Sequence, residues 1–234
     1  MDDRSVNDVA AVRREFGEGP LARAAALIYT LLVVELLFLV TTVPGLVGLM
    51  LLDRDVSNAL LAAVCALPVG PALSAAMYAL HRRSRDLTGL RPAAAFWRGY
   101  RLNVRAALAV WAPWLVWMVI IAVNLANFGA AAVPGWWAGL LVLVAVAATL
   151  WVSNALVIAS LFTFRVTDVA RLAAYFLTRT PGVTVGTAGL VIVATGVTLA
   201  WSEAVLALLG SVLALALLRT ARPMTGEVAR EFTT

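Results

Sequence analysis

The chain has 234 residues, 62% hydrophobic and 13% charged, with a formal net charge of +5 and a mean hydropathy of +0.93. A soluble domain is roughly half apolar and a quarter charged, so this composition excludes an ordinary water-soluble enzyme or binding domain and predicts an integral membrane protein. With about 20 residues per span, the length accommodates about six spans and no separate soluble catalytic domain.

The amino-terminal stretch to about Pro20 is hydrophilic and carries Asp2, Asp3, Asp8, Glu15 and Glu18. The apolar segment after it is long and lacks an A-x-A-like cleavage site, so it is expected to be a retained span rather than a signal peptide. The transmembrane domain is predicted over 24–218, between an amino-terminal segment, 1–23, and a tail, 219–234. Span 1 is expected at 24–43, ended or kinked by Pro44-Gly45. Span 2 is expected at 57–80 with Ser57 as N-cap. Spans 3 to 6 follow at 106–127, 136–164, 183–201 and 204–218, the last pair forming a tight hairpin around Trp201-Ser202-Glu203.

All 18 basic side chains are arginines. Four lie before span 1 (Arg4, Arg13, Arg14, Arg23) and seven between spans 2 and 3 (Arg82, Arg83, Arg85, Arg91, Arg98, Arg101, Arg105). Three lie between spans 4 and 5 (Arg165, Arg171, Arg179), three in the tail (Arg219, Arg222, Arg230), and only Arg54 on the other side. Excess arginine marks the cytoplasmic side. Both termini are therefore expected in the cytoplasm, in agreement with an even number of spans. Trp136, Trp137 and Trp201 fall on the outer side, where indole rings favour the headgroup level.

Two cytoplasmic segments have helical periodicity without being spans. Over 91–105, Ala93, Trp97, Tyr100 and Val104 fall on one side and Arg91, Arg98, Arg101 and Arg105 on another. This pattern predicts a basic amphipathic helix in the headgroup plane, presenting Arg91, Trp97, Arg98, Tyr100, Arg101, Asn103 and Arg105 to anionic lipid or a partner. Over 167–180, Val169, Ala173, Phe176 and Leu177 oppose Arg171 and Arg179, and Pro181-Gly182 begins the next span. The predicted fold is thus an all-α, polytopic transmembrane bundle of six spans with two cytoplasmic interfacial helices.

Glu35 is the acidic residue well inside a span, where an ionised group costs at least ~2.5–3.5 kcal/mol. Two readings stand: a transport or substrate site together with Asn124, Ser153 and Asn154, or a glutamate that ties span 1 to a neighbouring helix. Pro68, Gly70 and Pro71 should break or kink span 2, either for packing or to expose backbone to a solute. Gly182, Gly186, Gly189 and Gly196 form one small-residue stripe on span 5, suited to close packing in the bundle core or against a second copy. Cys65 and His81 are the only residues of their types, so no intrachain disulfide and no Cys/His metal site can form. No catalytic constellation or cofactor motif is present, and neither an enzyme nor a nucleic-acid binder is expected.

Pro71, Ala75 and Tyr78, then a basic loop, then Phe96, Trp97, Tyr100 and Asn103, carry a pattern "P-x-x-x-A-x-x-Y … F-W-x-x-Y-x-x-N". This pattern resembles the YesL-like family of bacterial integral membrane proteins, over about residues 27–190. The likeness implies a bacterial plasma membrane as the expected location. That family has no established activity. Its members often stand in carbohydrate-utilisation loci beside binding-protein-dependent sugar importers. The resemblance therefore implies an accessory or assembly role for the membrane subunits of an ABC-type importer; a small-solute transporter or channel using the broken span 2 and Glu35 is the alternative. Where the family tends to have asparagine in a run like "N-L-L-W", this chain has Glu35-Leu-Leu-Phe, which favours an interhelical hydrogen bond there.

Overall fold

The computed structural model describes residues 20–53, 55–83, 91–131 and 133–231, and among them all regular structure is helical. Helix is what an apolar chain must form in lipid, because each peptide group is satisfied within its own segment. Five segments are long and apolar enough to cross a membrane: Leu21–Leu51, Val56–His81, Pro92–Ala126, Trp136–Leu161 and Pro181–Ala200.

The first helix, α1 (Pro20–Leu51), runs past the expected stop at Pro44-Gly45. Proline removes a single donor, and membrane helices accept it where hydroxyls and neighbours re-satisfy the backbone. The carbonyl that loses its donor is that of Val40; the Thr41 and Thr42 hydroxyls donate to the carbonyls of Leu37 and Phe38, one turn before the proline. Gly45 is a packing residue instead. A Cβ there would collide with the backbone carbonyl of Cys65, and one at Gly48 would lie 2.6 Å from Cys65 Sγ. The two glycines let α1 lie close against the next helix.

That next segment is interrupted. After a 3₁₀ turn at Val56–Asn58 come α2 (Ala59–Ala66) and α3 (Val69–His81), with Leu67-Pro68 between them. The cap before it is Asp55 rather than the expected Ser57: the Asp55 carboxylate accepts from Ser57 N–H at 2.8 Å. Hydrogen bonding from the Ser57 side chain, together with this backbone bond, holds the Asp55 carboxyl below its ordinary 3.8.

The largest correction concerns 91–127. The expected interfacial helix and span 3 form one uninterrupted helix, α4 (Pro92–Ala126, 35 residues). At 1.5 Å per residue it is about 52 Å long, against roughly 30 Å of hydrocarbon, so the stretch with the arginines extends the span. Its buried stripe is Pro92, Phe96, Gly99, Asn103, Ala107 and Val110. The stripe read from apolarity (Ala93, Trp97, Tyr100, Val104) lies one residue away, because a glycine and a buried asparagine do not register as core.

The remaining helices are α5 (Trp136–Leu161), α6 (Val166–Arg179), α7 (Pro181–Ala200), α8 (Glu203–Ala207), α9 (Gly210–Thr220) and α10 (Arg222–Glu231). α6 buries Val169, Ala173 and Phe176 and exposes Arg171 and Arg179. The expected single span over 204–218 is divided at Leu208-Leu209 into α8 and α9. The tail segment is helical, and α10 buries Met224 and Val228.

Close packing concentrates at one end. Met77, Phe96, Ile158, Phe176 and Met224 are fully buried there, contributed by α3, the start of α4, the end of α5, α6 and α10. The opposite halves of α4, α5 and α7 turn Trp117, Leu143, Ile192 and Leu199 outward, which suits a lipid surround. The tight end also carries Arg82, Arg83, Arg91, Arg98, Arg219 and Arg222. Arg4, Arg13, Arg14, Arg54 and Arg85 lie outside the described residues.

Candidate functional site

Among the described residues, three helix ends are met by a side chain from another helix. At the Leu67-Pro68 break, Trp111 Nε1 donates to the Ala66 carbonyl at 3.0 Å. Gly70 makes this approach feasible: a Cβ there would collide with the Trp111 indole. Pro71 has no N–H to donate, and both Gly70 and Pro71 are buried. The break formed by Pro68, Gly70 and Pro71 is thus filled by an aromatic ring.

At the end of α5, the last carbonyls have no partner within the helix. Asn103 Nδ2 donates to the Ser160 carbonyl at 3.1 Å, and the hydroxyls of Ser160 and Ser74 are hydrogen-bonded at 2.9 Å. One polar cluster therefore joins α3, α4 and α5. Asn103 is only 8% exposed, so its expected place on a lipid or partner surface is corrected: it is an interior cap.

The third cap belongs to Glu35. Its Oε2 accepts from the Ser211 N–H at 2.7 Å, in the first turn of α9. A carboxyl group at a helix N-terminus meets both an unpaired donor and the positive end of the helix dipole. Gly210 lets α9 start close to α1, since a Cβ there would stand 2.6 Å from the Phe38 ring. The second oxygen, Oε1, is buried without a partner.

None of the other intramembrane polar candidates is hydrogen-bonded to Glu35. Asn124 Nδ2 donates to the Ile120 carbonyl, and Ser153 Oγ to the Thr149 carbonyl, both on their own helices. Asn154 is buried, and its Nδ2 has no partner. The glycine stripe also falls outside the chain's own core. A Cβ at Gly182, Gly189 or Gly196 would meet no atom within 4 Å; only Gly186 packs closely, with its Cβ position 2.6 Å from Thr220 Cγ2. Apart from Gly186 the stripe meets no neighbour, and the other close-approach glycines among the described residues are Gly45, Gly48, Gly70, Gly99 and Gly210.

The exposed side of α4 at the arginine end presents Arg91, Trp97, Arg98, Arg101, Leu102 and Arg105. Tyr100 is half-buried and packs edge-on to Trp97, with ring centroids 5.9 Å apart. Tyr78 lies beneath: Arg82 sits over its ring at 5.0 Å, a cation–π geometry, while its Cβ, Cγ and Cδ1 lie against Gly99.

Sequence reasoning missed Trp111, the Ser74–Ser160 pair and Ser211. The available signal was Gly70, Pro71 and Gly210 within apolar runs, each marking a place where a neighbouring side chain approaches backbone.

Comparison with known proteins adds a family without an assigned activity. A family model described as a protein of unknown function, DUF624, matches residues 31–125. That segment contains the Pro71–Tyr78 and Phe96–Asn103 motifs, Glu35 and the capped span 2 break. No curated protein and no solved structure matches the chain.

Proposed function

We propose that this integral membrane protein is a non-enzymatic accessory subunit of a bacterial inner membrane, with the arginine end and both termini in the cytoplasm. It binds partner membrane subunits through the outer side of α4. The observation that carries this reading is the exposed face itself: Trp97 is 40% and Leu102 62% exposed between Arg98, Arg101 and Arg105. Aromatic and arginine side chains are the types enriched in interface cores. The opposite side of the same helix is anchored in the core, which holds the face rigid. The likeness to YesL-like proteins makes the membrane subunits of a carbohydrate ABC-type importer the partner to test.

The test is co-purification in mild detergent with the importer subunits of the same source, using wild type and Trp97→Ala/Arg101→Gln. Wild type should retain the subunits and the double variant should lose them. A monodisperse wild-type protein, free of importer subunits when both are expressed, overturns the proposal. Orientation is read in a Cys65→Ser background with new cysteines at Thr178 and Trp137. An impermeant thiol reagent added to spheroplasts should label only the second.

A second reading rests on the unpartnered Oε1 of Glu35 beside the divided last span: a small-solute pathway that uses this carboxyl group. Solute flux in proteoliposomes that is unchanged by Glu35→Gln sinks it.

A further inference from the structure

A cavity of about 270 Å³ opens at the arginine end, between α1, the end of α3 and the first turn of α4. Its walls include Arg82, Arg83, Arg91 and Arg98 together with Thr30 and Tyr78. Arg83 also lines a neighbouring cavity of about 310 Å³, where its companions are His81, Arg219 and Arg222. Among the described residues, no carboxylate lines either cavity. Guanidinium groups are always charged, and a converging set without a counter-charge is electrostatically unfavourable unless an anion completes it.

Two further observations point the same way. Arg83 Nη1 is buried and makes no hydrogen bond, and leaving a buried charged donor unsatisfied is costly. The cavity wall also includes Pro92, Ala94 and Ala95, the opening turn of a 35-residue helix that has no side-chain cap and no acid in its first turn. Pro92 has no N–H and the Ala95 N–H donates to the Arg91 carbonyl at 3.1 Å, so Ala94 and the positive dipole end of α4 are what the helix brings to the wall that carries the arginines.

We propose that this cavity binds a phosphoryl group, held by Arg82, Arg83, Arg91 and Arg98 against the start of α4. Arginine matches such a group because its planar fork donates two parallel hydrogen bonds to phosphate oxygens. Bilayer phospholipid is the expected source, since basic pockets between spans at the cytoplasmic side recognise anionic headgroups. A soluble phosphate compound offers the same chemistry. The site shares Arg91 and Arg98 with the exposed side of α4 proposed for partners, and its test needs no partner.

The experiment uses the full chain purified in a neutral detergent. Native mass spectrometry counts retained phosphatidylglycerol after reconstitution with mixed phosphatidylglycerol and phosphatidylcholine, and thermal unfolding is followed with added inorganic phosphate. Wild type should retain one phosphatidylglycerol in preference to phosphatidylcholine. Arg82→Gln/Arg91→Gln should weaken that binding about tenfold or more, and Arg83→Gln should act in the same direction. Arg171→Gln/Arg179→Gln, which removes two exposed arginines from α6, should not. A rise in unfolding temperature with phosphate, lost in the same variants and without lipid preference, assigns the site to a soluble ligand. Equal loss of binding in the α6 control, or no preference for phosphatidylglycerol together with no response to phosphate, overturns the proposal.

Discussion

Replacing Gly99 by alanine tests whether the α3–α4 contact is as close as the structure places it. A Cβ at this position would lie 2.7 Å from Tyr78 Cδ1 and 2.8 Å from both Cβ and Cγ, where ordinary contact begins at 3.4 Å. Because Tyr78 Cβ is fixed to its own backbone, rotating the ring leaves at least one short contact. The helices must therefore separate locally by 3.4 − 2.8 = 0.6 Å. Overpacking of this kind costs about 1–3 kcal/mol. Alanine also gains about 1 kcal/mol of helix propensity over glycine, which would obscure the effect in a comparison with wild type. Gly189→Ala supplies the reference: it lies in α7 with nothing within 4 Å of its Cβ position, so the propensity gain cancels between the two variants. Gly99→Ala should be less stable than Gly189→Ala by about 1–3 kcal/mol, or about 2–4 °C for each kcal/mol. Thermal unfolding in detergent and titration with sodium dodecyl sulfate both measure it. A difference below about 0.5 kcal/mol, within the scatter of neutral surface changes, would refute the close approach.

Trp111→Phe keeps most of the ring but removes the donor to the Ala66 carbonyl, and should destabilise by about 1–3 kcal/mol; stability equal to wild type in the same titration counts against the cap. Glu35→Ala should speed exchange of the Ser211 amide roughly fivefold or more, read by hydrogen-exchange mass spectrometry on peptides covering 205–215, and unchanged protection would show that the carboxyl group does not hold α9. The Asp55 carboxyl has its pKa lowered in the fold, so its cap is present above the ordinary 3.8 and is lost as pH falls through the lower folded value. Protection of the Ser57 amide should follow that loss and should become independent of acid pH in Asp55→Asn.

The class of fold was legible in the sequence because composition and long apolar runs leave few alternatives. Helix ends were less so. Pro44 and Gly45 look like a stop, yet the proline costs one donor and the glycine faces another backbone, neither of which breaks a helix in lipid. The stretch 91–127 divides by polarity but not by structure, since helical hydrogen bonding continues through arginines as readily as through leucines. Of the candidate residues, Asn103 drew notice through its motif, but its role depends on where α5 ends, 57 residues along the chain. Glu35 stood out by its cost in a membrane. Its partner is a backbone N–H, which no side-chain pattern can reveal.

That pairing also sets an order of events. Glu35 and Ser211 are 176 residues apart. At roughly 5–20 residues per second of synthesis, Glu35 waits about 9–35 s between its own addition and that of its partner. Throughout that interval the first helix must be held in lipid, or by an insertase, with its carboxyl group unanswered. The 11-residue α9 is about 16 Å long at 1.5 Å per residue, too short to span alone; it packs against α1, α3 and α7, and Glu35 meets its first turn. Assembly of this part of the bundle therefore closes late, when α9 docks onto α1.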